Sequence, residues 1–194
     1  MQYMDDEPAT AAEEIRFGEN HLLVSTDDLT AWEDKYGEIP RQAVVVMNSG
    51  WSHKYPDPTL VFGTPLPNDT SSFHFPSWHE EAVTWLITKR QVNALGVDTP
   101  STDYGQTKTF PCHKIMGKNN VVGVENVANL DSIPESGSIV YIPVIKLFDG
   151  SGGPTRLFGT YDDEPNKTNS AMNVMSTAIY VYLLQIITIF VYQY

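Results

Sequence analysis

The sequence predicts an α/β fold, and three observations carry that reading. Ala43–Met47, Ala94–Val97 and Val121–Val124 are short unbroken apolar runs, the pattern of strands covered on both faces. Between the first two lies an amphipathic stretch that opens on a helix-start signal at Ser77. Strand, crossover, helix and strand in that order spell a right-handed βαβ unit.

Along the chain, residues 1–24 are acidic and read as an irregular terminus. Ser25-Thr26-Asp27-Asp28 caps a helix that carries Leu29 and Trp32 inward and stops at Gly37, a residue suited to the left-handed C-terminal position. Ile39-Pro40 prevents continuation, and Ala43–Met47 is the first strand. A loop dense in Pro, Gly, Asn and Asp runs from Asn48 to Pro76, a length typical of functional or poorly ordered segments. Ser77 and Glu80 form a capping box for a helix whose apolar face is Ala82, Val83, Leu86 and Ile87, ending near Arg90. Ala94–Val97 is the next strand and delivers Asp98-Thr99 at its carboxyl end, where ligands gather in such sheets. Pro111–Gly117 reads as a short helix or turn, Val121–Val124 as a strand ending on Glu125, and Ile139–Ile142 as another. A glycine-rich turn, Asp149–Pro154, follows. The folded unit spans 25–159, a polar linker 160–170, and an apolar tail 171–194.

That tail has no charged residue, and Ala178–Tyr192 is apolar except at Gln185 and Thr188. Three readings stay open: a membrane anchor, a cleaved lipid-anchor signal attached near Asn169-Ser170-Ala171, or an aggregation-prone end. Met1–Glu14 lacks the apolar core of a secretory leader. The expected location is therefore membrane-associated through 171–194, otherwise cytoplasmic.

The chain carries 24 acidic against 12 basic residues, a formal charge of −12. Such a surface repels phosphate backbones, which excludes nucleic acid as a partner. A single cysteine, Cys112, excludes an internal disulfide and any paired-cysteine metal site, and reads as a small buried thiol.

His113, beside a turn, and Glu125, at a strand end, are candidate metal ligands, since imidazole and carboxylate both suit zinc or manganese. Two ligands alone do not make a catalytic site, which normally takes three protein donors; the alternative is a hydrogen-bonded histidine and an ordinary strand-end glutamate. Asp98, Ser101 and Asp103 either line a site or cap turns. Arg156 either binds a substrate carboxylate or braces the glycine-rich turn. His53, His74 and His79 lack ligand spacing and read as solvated or packed, while Trp51, Trp78 and Trp85 read as core.

An ordered set of motifs resembles one family over residues 25–159. They are Trp32-Glu33 with Tyr36–Pro40, Ala43-Val44-Val45 leading to Ser49-Gly50-Trp51, Phe73–Pro76, Leu95–Thr99 with Ser101 and Asp103, His113, Val124–Leu130, and Gly150–Arg156. The family is the cyclase/arylformamidase group of metal-dependent hydrolases, kynurenine formamidase-like and isatin hydrolase-like, in its C-terminal part. The resemblance implies a partial swivelling β/β/α domain, here followed by a C-terminal apolar helix or tail. It implies a divalent metal, zinc or manganese, held in part by His113 and Glu125, whose separation of 12 positions fits the family's later ligands. It also implies a small aromatic amide substrate, with N-formylkynurenine the best known, and a homodimer. The family's upstream HxGTHxDxP motif, source of further ligands and of the proton-transfer histidine, has no counterpart among the five histidines. The expectation is a truncated, impaired hydrolase with weak metal binding. The competing expectations are an inactive remnant that acts by association, and a membrane-tethered module that binds through Asn48–Pro76.

Overall fold

The computed structural model describes residues 9–16, 23–161 and 187–190. The strands are β1 (Ala9–Arg16), β2 (Leu23–Val24), β3 (Val44–Asn48), β4 (Ser77–Trp78), β5 (Ala94–Val97), β6 (Val122–Glu125), β7 (Ser138–Tyr141), β8 (Gly152–Thr155), β9 (Phe158–Thr160) and β10 (Ile187–Phe190). The α-helices are α1 (Thr26–Tyr36), α2 (Pro58–Val61), α3 (Glu80–Trp85) and α4 (Pro111–Lys118). Eight strands form one sheet in the order β8-β10-β6-β5-β3-β1-β7-β9, and β2 pairs with β4 apart from it. The four central strands are parallel, with Met47 beside Val97 and Gly96 beside Val124; the outer strands are antiparallel.

Strands β8 and β9 lie at opposite edges, yet only Arg156 and Leu157 join them. Three Cα steps reach at most about 11 Å, so the two edges must approach and the sheet curls. The curl explains why the central strands are apolar throughout. On one face Val45, Met47, Leu95 and Val97 pack on Leu29 and Trp32 of α1, Ala82 and Val83 of α3, and Cys112 and Met116 of α4. On the other, Val44, Val46, Ala94 and Val124 pack with Val127, Val140 and Leu157, the last from the linking dipeptide itself. Every residue of β3 is buried as a result. Gly96 allows the central strands to pack closely: a Cβ there would lie 3.0 Å from a Val46 methyl.

Local chemistry sets the elements. Ser25 and Asp28 make a reciprocal capping box on α1, which ends at Gly37 with φ 96°. The segment after β3 is ordered, holding a 3₁₀ turn at Trp51–Lys54 and α2, and the Trp51 indole donates to the Val61 carbonyl at 2.7 Å.

Four expectations need correction. Ala9–Arg16, read as irregular, forms a strand near the middle of the sheet, because β3 and β7 offer it hydrogen-bond partners on both sides. Ser77 does not cap the following helix: it pairs with Leu23 in the small sheet, and His79 Nδ1 accepts the Glu81 amide at 3.2 Å instead. Gly152-Gly153-Pro154-Thr155 extends as β8 rather than turning. Of the tail expected as a helix or apolar end, Ile187–Phe190 forms β10; the rest of 171–194, and 162–170, lie outside the described residues. Among the described residues no helix is long and apolar enough to cross a membrane.

Candidate metal and acid–base site

The parallel strands β3, β5 and β6 present their carboxyl ends along one side of the sheet, which places Asn48, Asp98 and Glu125 together there. Asp98 is fully buried and already engaged. Its carboxylate accepts from Ser49 N (3.1 Å), Ser49 Oγ (2.7 Å) and Trp51 N (2.7 Å), closing the turn after β3. Burial pushes its carboxyl above the usual range and those hydrogen bonds pull it back. Asp98 thus anchors a loop, the turn-forming alternative.

Asp103 works at a distance in sequence. Helix α4 begins at Phe110 without a side-chain cap of its own, and the Asp103 carboxylate supplies one: it accepts from Cys112 N at 2.8 Å and His113 N at 3.1 Å. Ser101 Oγ steadies the loop by accepting from Asp103 N at 3.2 Å. An anion at a helix start is favoured by both the unpaired amides and the peptide dipoles.

That cap also fixes His113. Its Nδ1 lies 2.5 Å from Asp103 Oδ2, and its Nε2 lies 3.2 Å from Glu125 Oε1. Glu125 is buried to 2% exposure, and its Oε1 also accepts from Thr102 N at 2.8 Å and Thr102 Oγ1 at 3.3 Å. The imidazole therefore stands between two buried carboxylates. Burial disfavours its charge, but the hydrogen bonds to Asp103 and then Glu125 outweigh burial and raise its pKa to about 9. Burial likewise raises the Asp103 carboxyl, yet its bonds to the His113 ring and amide win and hold it below the usual range.

Do these groups fit a metal? Two donors each about 2.0–2.2 Å from one zinc ion in tetrahedral geometry lie roughly 3.3–3.6 Å apart, close to the 3.2 Å between His113 Nε2 and Glu125 Oε1. A carboxylate behind Nδ1, here Asp103, is the usual support of a metal-bound imidazole. The pair fits as two donors of a centre. Among the described residues, no group of three or more His, Cys, Asp or Glu converges as a complete ligand set.

Of the residues singled out in the sequence, the structure brings His113, Glu125, Asp103 and Ser101 together and keeps Asp98 beside them in a structural role. Arg156 is exposed in the dipeptide between β8 and β9, and is not one of the groups bonded to the His113–Glu125 pair. Trp78 is core, its indole donating to the Gly96 carbonyl at 3.2 Å, whereas Trp51 lies half-buried under the Lys54 ammonium. His53 pairs with Asp131 at 2.9 Å and His74 with Gln106 at 2.8 Å, both at the surface.

Three neighbours of the pair carry no sequence signal. Thr102, between two residues already singled out, touches both partners: its hydroxyl lies 3.3 Å from His113 Nδ1 as well. Tyr55 donates its hydroxyl to the Asn126 side-chain carbonyl, and burial together with the Glu125 charge raises its pKa. The Phe110 ring meets His113 edge to face, with centroids 6.0 Å apart.

The chain is similar to proteins of one hydrolase family. The model of the Cyclase family, described as "Putative cyclase", matches residues 10–104. The isatin hydrolase of Roseibium aggregatum is 31% identical over 139 residues, covering 70% of this chain and 51% of that protein. The kynurenine formamidase of Erythrobacter litoralis is 33% identical over 76 residues, 39% of this chain and 34% of that protein. Isatin hydrolase A from Ralstonia solanacearum superposes with a TM-score of 0.68 at 31% identity, over 78% of this chain and 60% of that one. The chain spans about half the length of the isatin hydrolase it matches, and a third of the kynurenine formamidase.

Proposed function

The chain belongs to the cyclase family, and from that premise we propose that it is built for metal-dependent hydrolysis of an aromatic or cyclic amide, with His113 and Glu125 as two of the metal's protein ligands. The observation that carries this reading is the convergence of His113 Nε2 and Glu125 Oε1 at 3.2 Å, on the side of the sheet where the parallel strands end. When bound, the metal would polarise the amide carbonyl and lower the pKa of water, supplying a nucleophile near neutral pH. The chain's own groups prepare for that. Asp103 holds the proton on Nδ1, so that a metal displacing the other ring proton would meet the Nε2 lone pair, and Thr102 fixes the rotamer of Glu125 from its amide and hydroxyl. The curled sheet with helices on its outer face supports the swivelling β/β/α arrangement of the family. The names of the relatives suggest isatin or N-formylkynurenine as substrates.

The 194 residues contain no HxGTHxDxP string. On this reading the described residues supply two protein donors, and turnover is slow because groups that act as a unit fail together. One observation favours a second, non-catalytic reading: His113 is already satisfied by two carboxylates, so the fold has no electrostatic need of a metal. Association with a second copy or with a membrane would then be its role. Metal analysis and an absorbance assay with N-formylkynurenine separate the two. Stoichiometric zinc or manganese that is lost in His113→Ala, with any measurable hydrolysis, supports the first. A protein that takes up no metal and hydrolyses nothing leaves the second.

A further inference from the structure

Phe110 occupies a position that packing, capping and backbone conformation all disfavour. It is the residue before α4, where a polar side chain is preferred and where Phe makes no cap hydrogen bond. Its backbone is left-handed, with φ 50° and ψ 58°, a conformation that costs a bulky residue more than Gly or Asn. The residue is 48% exposed, so burial does not repay that cost. Two bonds hold the backbone in place: Phe110 N donates to Thr107 Oγ1 at 3.2 Å, and its carbonyl accepts from Lys114 N at 3.1 Å. What the arrangement achieves is to set the ring edge to face against His113, at an interplanar angle of 85°. Strain of this kind gathers at working sites because the surroundings over-determine it. Beyond Glu125, a second half-exposed ring, Tyr55, is held by Asn126. Aromatic rings from two separate loops therefore border the His113–Glu125 pair.

We propose that Phe110 is a specificity-determining residue whose exposed ring is the surface on which a planar aryl group of the substrate rests. This deepens the amide-hydrolase reading and rests on it for the position of the reacting group. Isatin, a planar benzo-fused ring, and succinimide, a small cyclic imide without an aryl group, separate aryl recognition from binding of the amide alone. Both are titrated calorimetrically against the full chain with zinc in excess. The informative variant is Phe110→Asn, because asparagine suits the left-handed cap and relieves the backbone cost.

The expected result is about tenfold weaker isatin binding in Phe110→Asn, with Phe110→Tyr within about twofold of wild type. Succinimide affinity stays within about twofold throughout, and the melting temperature of Phe110→Asn is equal to or above wild type. A purely structural role predicts the opposite: lower stability and equal losses for both ligands. Unchanged isatin affinity in Phe110→Asn, parallel loss of both ligands, or no isatin binding by the wild type would each overturn the proposal. The hydrolase reading fails separately. Phe110-dependent isatin binding without hydrolysis refutes that reading and leaves the aryl surface standing. Hydrolysis with an unchanged KM in Phe110→Asn does the reverse.

Discussion

Replacing His113 with glutamine should abolish a pH dependence of stability that this one side chain creates. In the fold His113 holds its proton to about pH 9, against an ordinary 6.5, because Asp103 and Glu125 face its two nitrogens. That difference corresponds to about 3 kcal/mol. The sign follows from which state binds the proton more tightly. Here it is the folded one, so the stabilisation is complete below pH 6.5, declines as pH rises, and is gone above about 9. Above that pH a neutral imidazole leaves two buried carboxylates without a compensating charge. For a chain of this length each kcal/mol moves the melting temperature by about 2–4 °C, so wild type should lose roughly 6–12 °C between pH 6 and pH 9.5. Glutamine is neutral throughout, so His113→Gln should melt well below wild type at pH 6 and converge with it above pH 9. Tryptophan-fluorescence melts in a chelator, which keeps metal from competing with the proton, measure both curves. A wild-type melting point that is flat across this interval, or a variant with the same slope, would refute the assignment of charge at His113.

Other perturbations test the scaffold around the site. Glu33 and Arg90 form a bidentate pair at 2.6 and 2.7 Å, and Glu33 also accepts from Ile39 N, so Glu33→Ala should cost about 2–4 kcal/mol in urea unfolding; a loss under about 0.5 kcal/mol would show that solvent takes over its role. Asp98→Ala leaves the Ser49 and Trp51 amides without their buried acceptor. It should destabilise by about 2–4 kcal/mol and speed tryptic cleavage after Lys54, and unchanged digestion would mean that the loop is held otherwise. Gly63 has φ 62°, and a Cβ there would lie 1.9 Å from the His74 carbonyl oxygen. Gly63→Ala should therefore unfold the loop locally or yield little soluble protein, and a variant with wild-type melting would contradict that close approach.

The central part of the fold was legible because its signals are local. Val44 to Met47 is apolar without alternation, and only a strand packed on both faces needs that. Ser25, Asp28 and Gly37 mark the ends of α1 by chemistry confined to a few neighbouring residues. His113 and Glu125 were legible as ligand types, and the family resemblance paired them. Ala9–Arg16 was not legible: an acidic, alanine-rich stretch has little strand propensity of its own, and it becomes a strand because β3 and β7 offer it a vacancy. Ser77 misled for the opposite reason. Its capping-box spacing was correct, but a partner 54 positions earlier, Leu23, took its backbone into a sheet.

Sequence alone determined the central strands and α1, the acidic character and the two side chains of metal-ligand type, His113 and Glu125. It did so because propensity, net charge and donor chemistry belong to residues rather than to their arrangement. Tertiary structure decided that Asp103 would cap a helix and charge its histidine, that Asp98 would be consumed by a turn, and that Thr102, Tyr55 and Phe110 would surround the pair. Those roles depend on distances between segments far apart in the chain. A side chain's charge state, its free lone pairs and its exposure are properties of the space it shares.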